Sequence, residues 1–148
     1  EVLERVRSLV QAENPVGLEI RRDYDLSIPE IKADPEQLIQ AVLNIVRNAV
    51  QAMQGKGLIV LRTRVVRQIT LDGRRYRLGL RCDIIDNGPG IPSEIREQIF
   101  FPLVSGREGG SGLGLAVAQT LVAQNRGAIE CESYPGNTVF TLHLPISA

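Results

Sequence analysis

Cys82-Asp83-Ile84-Ile85-Asp86-Asn87-Gly88-Pro89-Gly90-Ile91 is the stretch on which the fold turns. Its first half ends an apolar strand, and its second half is a turn of two glycines and a proline entered through a carboxylate. Upstream, Arg74 to Ile85 and Leu58 to Ile69 form two long strands joined through Asp72-Gly73, a strong hairpin signal. Gln54-Gly55-Lys56-Gly57 separates them from a helix that starts at Asp34-Pro35-Glu36-Gln37 and runs to about Met53. Its aspartate cap and first-position proline are the usual helix opening. Leu18 to Tyr24 alternates as a strand, and Ser27 to Lys32 is a proline-containing connection. Val2, Leu3, Val6, Leu9 and Val10 recur at helical spacing from Glu1 to Glu13, where Asn14-Pro15 stops them.

Downstream of Ile91, a short helix is expected over Ser93 to Phe100. The glycine-rich stretch Phe101 to Ser111 lacks a regular period and should be mobile unless a ligand holds it. Gly112 to Asn125 returns to a helical pattern through Leu113, Val117, Leu121 and Val122, with Gly127 as its cap. Ala128 to Ser133 and Thr138 to Pro145 are strands around a Pro135-Gly136-Asn137 turn. Helix, strand, helix, two strands, helix, loop, helix and two strands predict an α+β chain, a two-layer α/β sandwich whose mixed sheet carries helices on one face.

At 148 residues and 43% hydrophobic content, a single domain spanning 1–148 is the default expectation. Seventeen basic and seventeen acidic residues cancel, so nothing global draws the chain to nucleic acid or an anionic membrane. Cys82 and Cys131 lie in apolar strand-like runs without zinc-site spacing and read as buried thiols of a reducing, cytoplasmic compartment. No apolar run has membrane-span length, charges from Glu1 onward argue against a signal peptide, and the abrupt helical start suggests a piece of something longer.

Three places could carry chemistry. On the Asp34 to Met53 helix, Leu38, Val42, Ile45, Val46, Ala49 and Met53 define a buried stripe, while Asn44 and Asn48 lie one turn apart, roughly 120 to 160° from its centre. They are either a solvated amide face, or Asn48 offers its carbonyl oxygen to Mg²⁺, a hard cation that takes its other ligands from phosphates and water, with Asn44 one turn back. Asp86 to Ile91 is either a plain tight turn or a base site. In the second case Gly88 and Gly90 let the backbone approach a flat ring, Asp86 accepts from an exocyclic amine and Ile91 covers the ring. Those are adenine's demands, and the carbonyl of guanine would oppose them. Gly110-Ser111-Gly112-Leu113-Gly114-Leu115 opens a helix whose free N–H groups can hold phosphates, although it matches neither the P-loop nor the dinucleotide fingerprint.

Taken in order, these segments resemble the catalytic ATP-binding domain of sensor histidine kinases, of the same superfamily as gyrase B, Hsp90 and MutL. Leu43 to Ala49 is similar to that family's N box, Asp86 to Ile91 to its G1 box, Ile99-Phe100-Phe101-Pro102-Leu103 to its F box and Gly110 to Leu115 to its G2 box. Gly136-Asn137-Thr138-Val139-Phe140 resembles the closing motif, whose Thr138 is then expected near the adenine. Arg22 to Asp25, Leu43 to Ala52 and Ser105 to Gly110 look most like the nitrogen-regulation branch. The resemblance implies a Bergerat ATP-binding fold with Phe101 to Ser111 as a flexible ATP lid. It implies Mg²⁺ on Asn48, adenine recognition by Asp86, and Arg107 reaching the γ-phosphate. Gly110, Ser111, Gly112, Leu113 and Gly114 would lie along the phosphates, and Asn44, Asn48 and Arg107 would carry catalysis. It further implies a dimerisation domain bearing the acceptor histidine, a response regulator of the NtrC type, and regulation by a PII signal protein. Gln51 and Ala52 stand where many family members carry a lysine and an aromatic residue that contact ATP, and Leu103 stands in place of the usual second phenylalanine of the F box. The sole histidine, His143, sits between two leucines and reads as structural, so the chain is expected to bind ATP without phosphorylating itself.

Two rivals accompany this reading. One is an ATP hydrolase of the same superfamily, which would carry a water-activating glutamate where this chain has Asn44. The other is a non-catalytic nucleotide-sensing module whose lid faces a partner.

Overall fold

A computed structural model describes residues 1–94, 98–100 and 114–147. Three helices and five strands follow in the expected order: α1 (Val2–Glu13), β1 (Leu18–Asp23), α2 (Pro35–Ala52), β2 (Gly57–Leu71), β3 (Arg74–Asp86), α3 (Gly114–Gln124), β4 (Ala128–Tyr134) and β5 (Asn137–Ser147). The strands form one mixed sheet in the order β1-β2-β3-β5-β4. Only β1 runs parallel, against β2; the other three pairings are antiparallel.

Alternation along the strands separates two faces. Ile59, Leu61, Ile84, Phe140 and Leu142 turn inward and are buried against Val42, Ile45 and Val46 of α2 and Ala118 and Val122 of α3. Each such side chain contributes about 1.5–3 kcal/mol of burial. The opposite face has no helix among the described residues, and its centre is ionic. There Asp83 accepts from Thr141 at 2.7 Å, Arg62 at 3.0 Å and Arg81 at 3.1 Å, and these partners leave its side chain only 1% exposed. Burial opposes the charge, but the three donors outweigh it and hold the Asp83 carboxyl below its ordinary value.

α2 begins as the sequence suggests. The Asp34 carboxylate accepts from the N–H groups of Glu36 and Gln37, and Asn125, beyond α3, accepts the Asp34 N–H at 2.9 Å. Every residue of the expected stripe is buried, and so are Ala41, Leu43 and Val50, because α1 and α3 pack on its flanks.

Several boundaries differ. The β2–β3 hairpin extends to Leu71 and Arg74 because Asp72 and Gly73 alone make the turn, both left-handed at φ 50° and 74°. Similarly, Tyr134 and Asn137 pair, leaving Pro135-Gly136 as the whole β4–β5 connection. Gly127 is not the left-handed cap of α3; Arg126 takes that conformation at φ 65°, and Gly127 donates to the Val122 carbonyl. Gly127 is a glycine because a Cβ there would meet the His143 carbonyl oxygen at 2.4 Å. The ends of the expected Ser93 to Phe100 helix are turns, and residues 95–97 lie outside the described part, as do residues 101–113 with the expected lid and the first residues of the last helix. Cys82 is buried and its thiol is pushed up to about 12, whereas Cys131 is only half-buried because β4 is an edge strand. No helix among the described residues is long and apolar enough to cross a membrane.

Candidate functional site

Asp86 is the last residue of β3, level with Ile59 on one neighbouring strand and Thr138 on the other. Its side chain points to the helix layer, by strand alternation from buried Ile84, and Asp86 is only 5% exposed. Oδ1 accepts the Gly88 N–H at 2.9 Å. Among the described residues Oδ2 takes no hydrogen bond, so one lone-pair edge of a buried carboxylate stays available. Burial pushes the Asp86 carboxyl above its ordinary value, with the Gly88 N–H working against that shift.

The loop after Asp86 is fastened at each step. Asn87 and Leu58 exchange hydrogen bonds, the Asn87 N–H reaching the Leu58 carbonyl and the Leu58 N–H reaching Asn87 Oδ1. The Gly136 N–H donates to the Gly88 carbonyl at 2.8 Å, and the Ile91 N–H donates to Ser133 Oγ at 2.8 Å. The two glycines have local reasons of their own. A Cβ on Gly88 would meet Asp86 Oδ1 at 2.9 Å and Met53 Cγ at 3.0 Å, while Gly90 is left-handed at φ 89° and lies over the Tyr134 carbonyl. Close backbone approach is required here by the protein itself, before any ring is considered.

Asn44 and Asn48 are both half-buried on α2. A purely solvated amide face is excluded for Asn44, because α3 lies against it: Asn44 Nδ2 donates to the Gly114 carbonyl at 3.1 Å, and its Oδ1 accepts from Gln40 at 2.7 Å. Gly114 is the first described residue of α3, so the asparagine turn of α2 lies against the start of the described part of that helix. Among the described residues no group of three or more His, Cys, Asp or Glu side chains could hold a metal ion. A magnesium ion carried mainly by phosphates and water needs only one protein oxygen, and a half-buried asparagine fits that requirement.

Asp86, Gly88, Ile91 and Thr138 are therefore brought together, and Asn44 is joined to Gly114. Arg107, Gly110, Ser111, Gly112 and Leu113 lie outside the described residues. His143 is five residues along β5 from Thr138, roughly 17 Å away. Its Nε2 lies 3.6 Å from Glu130, and its buried Nδ1 has no partner among the described residues. Two contributors escaped notice as site residues. Met53 appeared only as core, yet it closes under Gly57 and Gly88. Ser133 appeared only as a strand residue, although counting back across the tight turn from Thr138 would have paired them.

The family described as histidine kinase-, DNA gyrase B-, and HSP90-like ATPase matches residues 33–148. The chain is 54% identical over 147 residues to the sensory histidine kinase/phosphatase NtrB of Klebsiella oxytoca, covering 99% of this chain and 42% of that relative's length. Among solved structures, the mycobacterial sensor histidine kinase MprB superposes with a TM-score of 0.78 at 25% identity, covering 99% of this chain and 95% of that one. Full-length ShkA in complex with AMPPNP superposes with a TM-score of 0.78 at 29% identity, covering 99% of this chain and 30% of that one.

Proposed function

The chain belongs to the histidine kinase-, DNA gyrase B- and HSP90-like ATPase family, and from that premise we infer that residues 1–148 are one catalytic domain that binds Mg-ATP and gives its γ-phosphoryl group to a histidine on a separate dimerisation domain. The observation that carries this reading is the buried Asp86 carboxylate, one oxygen held by Gly88 and the other without a hydrogen bond among the described residues, with Thr138 its register partner on β5. A carboxylate so placed accepts from the adenine amine, and Ile91 covers the ring.

The bound magnesium would neutralise charge on the phosphates, with Asn48 as its protein ligand. Asn44, held against Gly114, would set the distance between α2 and the start of α3, where free N–H groups would meet the phosphates. Arg107 and Gly110 to Gly114 complete the phosphate grip in this reading. The P–O bond to ADP breaks as the histidine nitrogen bonds to phosphorus, and positioning with charge stabilisation supplies the acceleration. A response regulator of the NtrC type, in the cytoplasm, takes the phosphoryl group next, under control of a PII signal protein. Similarity to a sensory histidine kinase/phosphatase supports the kinase reading; the nucleotide analogue on ShkA supports the ligand class.

Mixing the chain with a separately purified dimerisation domain and γ-labelled ATP tests the reading. Acid-labile, base-stable label on that domain is expected, and its absence overturns the kinase assignment. An ATP hydrolase is disfavoured because Asn44, at the place of the water-activating glutamate, is an amide with both its groups engaged and cannot act as a general base.

A further inference from the structure

The geometry points to Ser133 as a positioning residue of the base pocket, one that holds two groups expected to meet the nucleotide without meeting it itself. The inference rests on the adenine reading above. Ser133 stands on β4 and is 2% exposed. Its register partner is Thr138 on β5, and the other register partner of Thr138 is Asp86 on β3, so the three lie in one row across adjacent strands. The Ser133 and Thr138 hydroxyl oxygens are 2.8 Å apart, and Ser133 Oγ also accepts the Ile91 N–H at 2.8 Å.

A hydroxyl has one proton and two lone pairs. Ser133 commits one lone pair to Ile91, the last residue of the loop that Asp86 opens, and shares its remaining capacity with Thr138. In either donor sense that bond fixes where the hydroxyl of Thr138, the register partner of Asp86, sits. The same oxygen therefore ties β5 at Thr138 to the loop that Asp86 opens, at Ile91. A buried serine in a strand is an uneconomical choice for packing alone, since strands favour β-branched and aromatic residues and an unpaired buried hydroxyl is costly. Its two bonds account for it. Deleting the oxygen would free Ile91 and Thr138 together while leaving the magnesium and phosphate end of the site untouched, because among the described residues the Ser133 hydroxyl bonds to Ile91 and Thr138 and to nothing on α2 or at Gly114.

The test uses the 148-residue chain, with ATP and GTP binding measured by calorimetry in the presence and absence of Mg²⁺. For Ser133→Ala, ATP affinity is expected to fall about tenfold, the worth of one or two buried hydrogen bonds. The preference for ATP over GTP should narrow, and the Mg²⁺ dependence should stay as in the parent. Ser133→Cys, which keeps the shape but accepts poorly, should behave the same way and decides the matter if the alanine variant unfolds. Parental ATP affinity in both variants overturns the inference. So does an equal loss for ATP and GTP accompanied by a changed Mg²⁺ dependence, which would mean general loosening. Asp86→Asn is the control: if the parent chain binds no ATP, or this variant binds it normally, the adenine reading itself falls and takes the Ser133 inference with it.

Discussion

Asn44 Nδ2 donates to the carbonyl oxygen of Gly114 across 3.1 Å, fastening the middle of α2 to the first residue of α3. Asn44→Ala removes the side-chain donor to that carbonyl and should cost about 1 kcal/mol of stability, read by urea unfolding. The larger effect is expected on phosphoryl transfer, because the N-terminus of α3 is no longer held at its distance from Asn48. Parental transfer to the dimerisation domain would show that the contact is only structural.

Asp86→Asn should separate stability from binding. The folded carboxyl titrates above its unfolded value near 3.9, so its contribution is fully present below that pH and is lost as pH rises through the raised folded value. At neutral pH the buried charge therefore works against folding. The asparagine keeps an oxygen for the Gly88 N–H, so the nucleotide-free melting temperature is expected to rise while ATP binding is lost. Calorimetry and thermal melting on the same sample check both halves.

Asn48→Ala should remove mainly the Mg²⁺-dependent part of ATP affinity. Titrations with ATP in Mg²⁺ and in EDTA are expected to converge for this variant, whereas Asp86→Asn should weaken both. A variant that still gains affinity from Mg²⁺ would displace Asn48 as the metal ligand.

Acid should loosen the molecule at two places. Asp83 is held below its ordinary value, so its contribution is present above about pH 3.9 and lost as pH falls through the folded value. Glu4, bound by Arg7 and Tyr24 and lowered to about 2, behaves likewise between about pH 4.5 and pH 2. Urea unfolding across that range should show Asp83→Asn about 2 kcal/mol less stable at pH 7 and less sensitive to acid than the parent.

Much of the fold was legible because it is written in short-range signals. Asp34-Pro35 opens α2, Asp72-Gly73 turns the hairpin, and the stripe from Leu38 to Met53 is wholly buried. Errors fell where a distant chain decides. Gly127 looked like a helix cap, but the approach of the β5 backbone at His143 requires the glycine, and Arg126 takes the left-handed position. Cys131 looked like core, but it sits on an edge strand.

The sequence by itself determined the elements, their order, and the residue types that could meet a nucleotide, because caps, turns and periodicity act within a few residues of one another. Those local signals could not place Thr138 beside Asp86, 52 positions earlier, or Asn44 against Gly114, 70 positions later, although the family resemblance put Thr138 and Asp86 near one base. Only the tertiary structure decided those meetings, because they depend on β5 entering the sheet between β3 and β4 and on α3 packing along α2. The same packing turned Ser133 from an ordinary strand residue into the hydroxyl on which Ile91 and Thr138 both rest.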